Sequence, residues 1–366
     1  MSDSSIPVFD TLSDPQRRLA LDPLDMMGLV LKFPNQCRAG IAIGRQLSPE
    51  TTARPEIRNV VFTGLGGSAI GADFARSLME ECGTVPMQVN RDYTLPNYVG
   101  PHTLVVAGSY SGNTEETLAA YAAAGKAGAQ RMVVTSGGTI RKLAEEAGDT
   151  VALVPGGQPP RSATGYMLFP MLGYLAQRGL FQRDLTADLD EMVTLLDAQA
   201  IAFGPDVPTA QNPAKQLALA LYNKIPVLYG SQGYRGAVAV RWKGQFNENA
   251  KLAAFANVFP EQNHNEILAW TLATRQAQNW SVVFLRDKKE AAEMPRIAHR
   301  IEVTKKVIGA AAEIHEVWAD GDSLVARMLT LAHYADYVTV YLAMLNNICP
   351  TDIASIDHLK TEMAKI

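Results

Sequence analysis

The sequence predicts an α/β protein with two doubly wound parallel-sheet domains and helical N- and C-terminal additions. Three observations carry this. Apolar runs of about four to seven residues alternate with helical stretches, the pattern of parallel sheets covered by helices on both faces. The first run of each half, "NVVFTGLGG" from Asn59 and "IPVLYGSQG" from Ile225, passes into glycines and then a helix. The two halves therefore repeat each other weakly, as two domains of related design would.

Taken in order, residues 14–48 read as two or three short amphipathic helices, capped by Ser13-Asp14-Pro15 and broken near Pro34. "NVVFT" is a strand and "SAIGADFARSLMEE" a helix; "MQVNRDY" and "TLVVAGS" are strands, and "TEETLAAYAAAGKAG" is a helix. "RMVVTS", "TIRKLAEEAG" and "TVALVP" continue as strand, helix and strand, and a long helix from Arg161 to Arg178 closes the half. The second half reads as strand "IPVLYGSQG", helix "YRGAVAVRWKGQFNENAK", strand "WSVVFLRD", helix "AEMPRIAHRIEVTKKVIGA", strand "EIHEVWADG" and a long final helix from Ser323. The boundaries follow: an N-terminal helical extension over 1–50, a first domain over 51–185 and a helical linker over 186–212. A second domain over 213–349 and a C-terminal helix over 350–366 complete the chain.

Composition sets the outer limits. With 47% hydrophobic residues in 366, the chain can bury a sizeable core. A net charge of −4 argues against broad electrostatic binding of nucleic acid, though not against a local cationic pocket. The three cysteines, Cys37, Cys82 and Cys349, are far apart and form no C-x-x-C pair. They exclude a cysteine zinc cluster and fit a reducing, cytoplasmic setting. No apolar signal segment and no run of about 20 apolar residues is visible, so neither secretion nor a membrane span is expected.

Two turns in the first half could hold an anion. "GLGGSA", 64–69, matches the dinucleotide fingerprint between a strand and a helix, and Asn90 and Asp92 end the next strand where a ribose-binding acid could sit. The same glycines also suit an ordinary tight turn. "SYSGNTEET", 109–117, places Ser109, Ser111 and Thr114 ahead of a helix starting near Glu115. Thr114 alone would serve as an N-cap, but three hydroxyls exceed what capping needs. With the N–H groups of a helix start they suit the three acceptor oxygens of a phosphomonoester.

These motifs, with "GLGGSAIG", "PRSATGY", "WKGQFNENAK", "FPEQNHNE" and "PTDIASIDHLK", resemble the bifunctional phosphoglucose/phosphomannose isomerase family of sugar isomerase (SIS) proteins, from about residue 50 to the C-terminus. The resemblance implies two SIS domains, a homodimer, sugar phosphate substrates, and a reaction that needs no metal and no cofactor. An aldose–ketose isomerase must open the sugar ring, carry a proton between C2 and C1, and stabilise the enediol charge.

Residue by residue, the resemblance makes Glu248 the base. On its own, Glu248 also reads as one partner of a solvated pair with Lys251, on a helical face shared with Gly244. His264, between Asn263 and Asn265, becomes the ring-opening acid/base contributed by the neighbouring subunit; flanking asparagines could fix its tautomer, while a lone loop histidine is more often structural or simply exposed. Lys360 becomes the second ring-opening residue, against the alternative of a solvated helix-end charge. Arg161 becomes the enediolate stabiliser, against that of a surface arginine. Gly67, Ser68, Ser109, Ser111 and Thr114 become the phosphate site. Thr351 is expected near the sugar, but Asp352 follows it where the family usually has proline, which leaves its role open. A phosphosugar-binding sensor is the alternative from another class, and the NAD(P) reading rests on "GLGGSA" alone.

Overall fold

The computed structural model describes residues 15–48, 55–363 and 365. The chain runs α1 (Pro15–Leu21), α2 (Met26–Leu31), α3 (Phe33–Gln46), β1 (Asn59–Thr63), α4 (Gly66–Cys82), β2 (Met87–Asn90), β3 (Thr103–Gly108) and α5 (Glu115–Lys126). It continues through β4 (Gln130–Thr135), α6 (Gly138–Ala147), β5 (Thr150–Leu153), a 3₁₀ turn (Pro160–Ser162), α7 (Thr164–Gln177), α8 (Thr186–Ala202) and α9 (Pro213–Ala220). Then come β6 (Ile225–Ser231), α10 (Tyr234–Glu248), β7 (Phe255–Phe259), several 3₁₀ turns over 261–279, and β8 (Trp280–Asp287). Last are α11 (Glu290–Glu293), α12 (Pro295–Ile308), β9 (Glu313–Ala319), α13 (Leu324–Leu345) and α14 (Ala354–Met363). The expected cap at Ser13 and Asp14 lies outside the described residues. Pro34 sits in the first turn of α3, where its missing N–H costs no helical bond.

The described residues divide into two compact units: 32–197 with 321–329, and 15–31 with 198–320 and 330–363. The first holds a five-stranded sheet in the order β2-β1-β3-β4-β5, parallel throughout. Its central strands β1 and β3 are buried almost end to end because helices cover both faces, which is why they read as unbroken apolar runs. The order reverses between β1 and β3, so the turns after these strands open side by side at the carboxyl end of the sheet, where ligands bind in such folds. The second unit repeats the plan with four parallel strands, β7-β6-β8-β9, and a switch point between β6 and β8. The doubly wound plan is as the sequence predicts.

Three local features differ from expectation. The strand β7 is an edge strand with only Phe259 fully buried, so it lacks the apolar run that marks its neighbours. The helix after Pro159 begins at Thr164, leaving Arg161 in the preceding 3₁₀ turn. The helix α10 ends at Glu248, so Lys251 is not one turn further along it but in the left-handed region, φ +54°. Among the described residues no helix is long and apolar enough to cross a membrane.

Candidate active site

The turns after β1 and β3 form one hydrogen-bonded cradle in the first unit. The Ser68 hydroxyl, in the first turn of α4, accepts a bond from the Tyr110 N–H at 3.1 Å and so ties the two turns together. Ser109 is buried, and its Oγ accepts from the Gly112 N–H at 3.1 Å and lies 2.9 Å from Thr114 Oγ1. Thr114 occupies the N-cap position of α5 without making a side-chain cap bond. Simple capping therefore does not account for its hydroxyl, which pairs with Ser109 instead. Ser111 is exposed at the tip of the turn. The helices α4 and α5 both start here, and neither has a side-chain cap at its first N–H groups. The turn thus points two helix dipoles and several hydroxyls at one place, which favours an anion.

The cradle is pinned from below. Gly112 has φ +74°, and a Cβ there would lie 1.8 Å from the Gly137 carbonyl oxygen, so only glycine lets the turn rest on the β4–α6 connection. Asn113 Oδ1 accepts from both the N–H and the hydroxyl of Thr139, at 2.9 and 3.0 Å. Asn90, weighed above as a ribose-side group, donates its amide to the Thr94 and Asp92 carbonyls and acts as a turn clamp.

Arg161 is not a surface arginine: it is 1% exposed. Its backbone lies against Gly67, where an added Cβ would come within 2.7 Å of the Arg161 nitrogen. The missing side chain at Gly67 is what lets the arginine turn reach the anion cradle. Sequence reading missed Gln36, in α3, which binds the backbone at the end of this turn and at the start of α7. No local pattern announces it, because its partners are more than a hundred residues away.

The remaining candidates lie in the second unit. Glu248 is half-buried on the last residue of α10. Its surroundings are fixed by three neighbours. The Asn249 amide donates to Thr339 Oγ1 at 3.0 Å, and Asn247 donates to the Leu252 carbonyl at 2.7 Å. The Lys251 ammonium donates to the Glu248 carbonyl at 2.7 Å and to the Pro350 carbonyl at 3.0 Å. Lys251 thus complements the end of the helix, as a cation at a C-terminus should, and joins it to the "CPTD" turn. His264 ends a 3₁₀ turn after β7 and is exposed. Asn263 does not orient it: that side chain donates to Thr304 Oγ1 and accepts from Arg300. Lys360 lies on α14, a helix with no buried residue, 3.7 Å from Asp357. Among the described residues no group of three or more His, Cys, Asp or Glu side chains is arranged to hold a metal ion.

Two family models match the chain: the SIS domain over residues 56–155 and the bacterial phospho-glucose isomerase C-terminal SIS domain over 210–363. A bifunctional phosphoglucose/phosphomannose isomerase from Caldicellulosiruptor bescii is 40% identical over 93% of this chain and 99% of its own. The chain belongs to the bifunctional phosphoglucose/phosphomannose isomerase family. A relative of the same name from Thermoplasma acidophilum is 38% identical over 84% of this chain and 90% of its own. The crystal structure of a hypothetical protein from Thermus thermophilus matches with a TM-score of 0.74, covering 98% of this chain and 94% of that one; at 18% identity it shows the shared fold.

The departure at Asp352 has a local structural use. Its carboxylate accepts from the Ala354 N–H at 2.9 Å and so satisfies an open donor at the start of α14. Thr351 is nearly buried, and its hydroxyl donates to Asp22 at 3.0 Å, the carboxylate that also accepts from the Met26 N–H at the start of α2. In this structure Thr351 is therefore engaged with the second unit's own framework.

Proposed function

We propose that the protein interconverts glucose 6-phosphate and mannose 6-phosphate with fructose 6-phosphate through an enediol. The observation that carries this is the anion cradle at the β1/β3 switch point with a buried arginine packed against its helix start. Its setting, a chain that matches bifunctional isomerases almost end to end, supplies the substrate class. Gly67, Ser68, Ser109, Ser111 and Thr114 hold the 6-phosphate. Glu248 removes the proton from C2 and returns it to C1, and Arg161 faces the enediolate with a fixed positive charge. His264 and Lys360 move the proton that opens the ring. Glucose and mannose differ only at C2, so one base serves both if the C2–C3 bond turns in the pocket.

In this reading the enzyme is a cytoplasmic homodimer and His264 reaches the neighbouring subunit's site, which agrees with its exposure and with its lack of an orienting asparagine. Mixed Glu248→Gln and His264→Ala subunits then recover part of the activity after exchange; exchange without recovery rules out the shared site. The direct test is a coupled assay of both isomerisations in EDTA, wild type beside Glu248→Gln. Loss of roughly 10²–10⁴-fold in kcat is expected for the variant. Neither reaction, together with a sugar phosphate that still raises Tm, would make the chain a phosphosugar-binding sensor.

A further inference from the structure

The geometry points to Gln36 as a positioning residue for Arg161. The inference rests on the role proposed for that arginine. Gln36 lies in α3 and is buried. Its Nε2 donates to the Ser162 carbonyl at 2.7 Å, and its Oε1 accepts from the Gly165 N–H at 2.7 Å. These two groups flank the end of the 3₁₀ turn that carries Arg161 and the beginning of α7.

The helix α7 has no cap of its own. Its N-cap residue is Ala163, and its first turn leaves N–H groups without helical partners. Gln36 supplies the missing acceptor from another helix, and the same amide grips the carbonyl next to Arg161. The depth of this grip is set by close helix contact. A Cβ on Gly40 would lie 2.7 Å from the Gly165 carbonyl, and one on Gly173 would lie 2.6 Å from the Gly44 Cα. The helices α3 and α7 can therefore neither separate nor slide without losing contact along both glycine pairs. On the opposite side, Gly67 meets the Arg161 nitrogen and the Pro160 carbonyl carbon. Arg161 is held between the helix that starts the anion cradle and a glutamine that binds the backbone just after it, at Ser162 and Gly165. A side chain whose charge must meet a developing oxyanion needs that fixed register, because small misplacements cost rate rather than binding.

The test uses Gln36→Met, which keeps volume and removes both bonds, and Gln36→Glu, which keeps the acceptor and loses the donor. Both are assayed well below their Tm, alone and with Arg161→Ala. We expect kcat to fall roughly 10–100-fold in Gln36→Met with KM within about twofold. Gln36→Glu should fall in between, and neither change should add to Arg161→Ala. If Gln36→Met does not fold, Gln36→Glu decides: a lowered kcat that disappears in the Arg161→Ala background supports the assignment. Wild-type kcat in a folded Gln36 variant, or losses that multiply with Arg161→Ala, overturn it. Arg161→Ala retaining wild-type kcat would instead overturn the reading of the arginine, so the two failures are distinguishable.

Discussion

The four strands of the second sheet follow the order of the first four of the first sheet, yet one sheet ends in small, hydroxyl-bearing turns and the other in the protein's own buried charges. After β1 and β3 stand Gly67, Ser68, Ser111 and Thr114, small groups around two uncapped helix starts. At and after the ends of β6 and β8 stand Tyr234, Arg235, Asp287 and Glu290, all buried. Glu290 is 2% exposed and pairs with Arg235 and Arg286; its Oε1 lies 2.5 Å from Arg286 Nε. Asp287 accepts from the Tyr234 hydroxyl and from the Lys289 N–H. A carboxylate three residues past the end of β8 stands where the first sheet carries the exposed hydroxyl of Ser111, three residues past the end of β3. The comparison teaches that topology supplies the crevice while side-chain size and charge decide whether it receives a ligand.

The largest effect expected from breaking this contrast is on stability. Glu290→Ala leaves Arg235 and Arg286 buried without their shared carboxylate and should cost about 3–5 kcal/mol in denaturant unfolding. A change under about 1 kcal/mol would mean that the second switch point is not closed by this pair. Next comes Gly67→Ala, which pushes a methyl into the Arg161 backbone and should cost about 1–3 kcal/mol. Its kcat should fall more than its stability suggests, since the displaced group is the arginine turn; equal kcat in the folded variant would separate Gly67 from catalysis. Ser109→Ala removes one of the two acceptors of the Gly112 N–H, the Ser109 carbonyl being the other, and the partner of Thr114. A KM increase of about tenfold, equivalent to one lost hydrogen bond, is expected in steady-state assays.

The smallest effect concerns acid. In the second unit His333 is fully buried, and its Nε2 donates to the Val30 carbonyl, 2.9 Å away. Burial holds its imidazole below the ordinary value of 6.5, ahead of the opposing influence of Asp336 and a further lowering by Arg241. The folded state thus binds this proton less readily than the unfolded chain. Its contribution to stability is complete above about pH 6.5 and declines as the pH falls below it. A Tm series against pH should show this slope in the wild type and a flatter one in His333→Gln; identical slopes would remove His333 from the account.

Much of this was legible in sequence, for stated reasons. The strands β1, β3, β4, β6 and β8 are buried on both faces, so burial wrote itself as apolar runs. The hydroxyl-rich turn was legible because the hydroxyls that define it are close together in the chain. The edge strand β7 was not, since half-exposed residues leave no run to read. The end of α10 was missed because "NENAK" contains good helix formers, while the bonds that accompany the stop at Glu248, among them Asn249 to Thr339 and Lys251 to Pro350, reach distant segments. The asparagines beside His264 suggested a local bond, but Asn263 found Thr304 and Arg300 instead.

By itself the sequence determined the doubly wound plan, the hydroxyl-rich turn and the motifs that carry the family resemblance, because each strand, turn or motif is written in neighbours within a few residues. Only the tertiary structure decided that Arg161 is buried, that Thr114 pairs with Ser109 rather than capping, and that Gln36 grips the arginine turn. It also decided that Glu290 is buried between Arg235 and Arg286. Those outcomes depend on desolvation and on bonds between distant segments, and no local pattern encodes which distant donor will meet which acceptor.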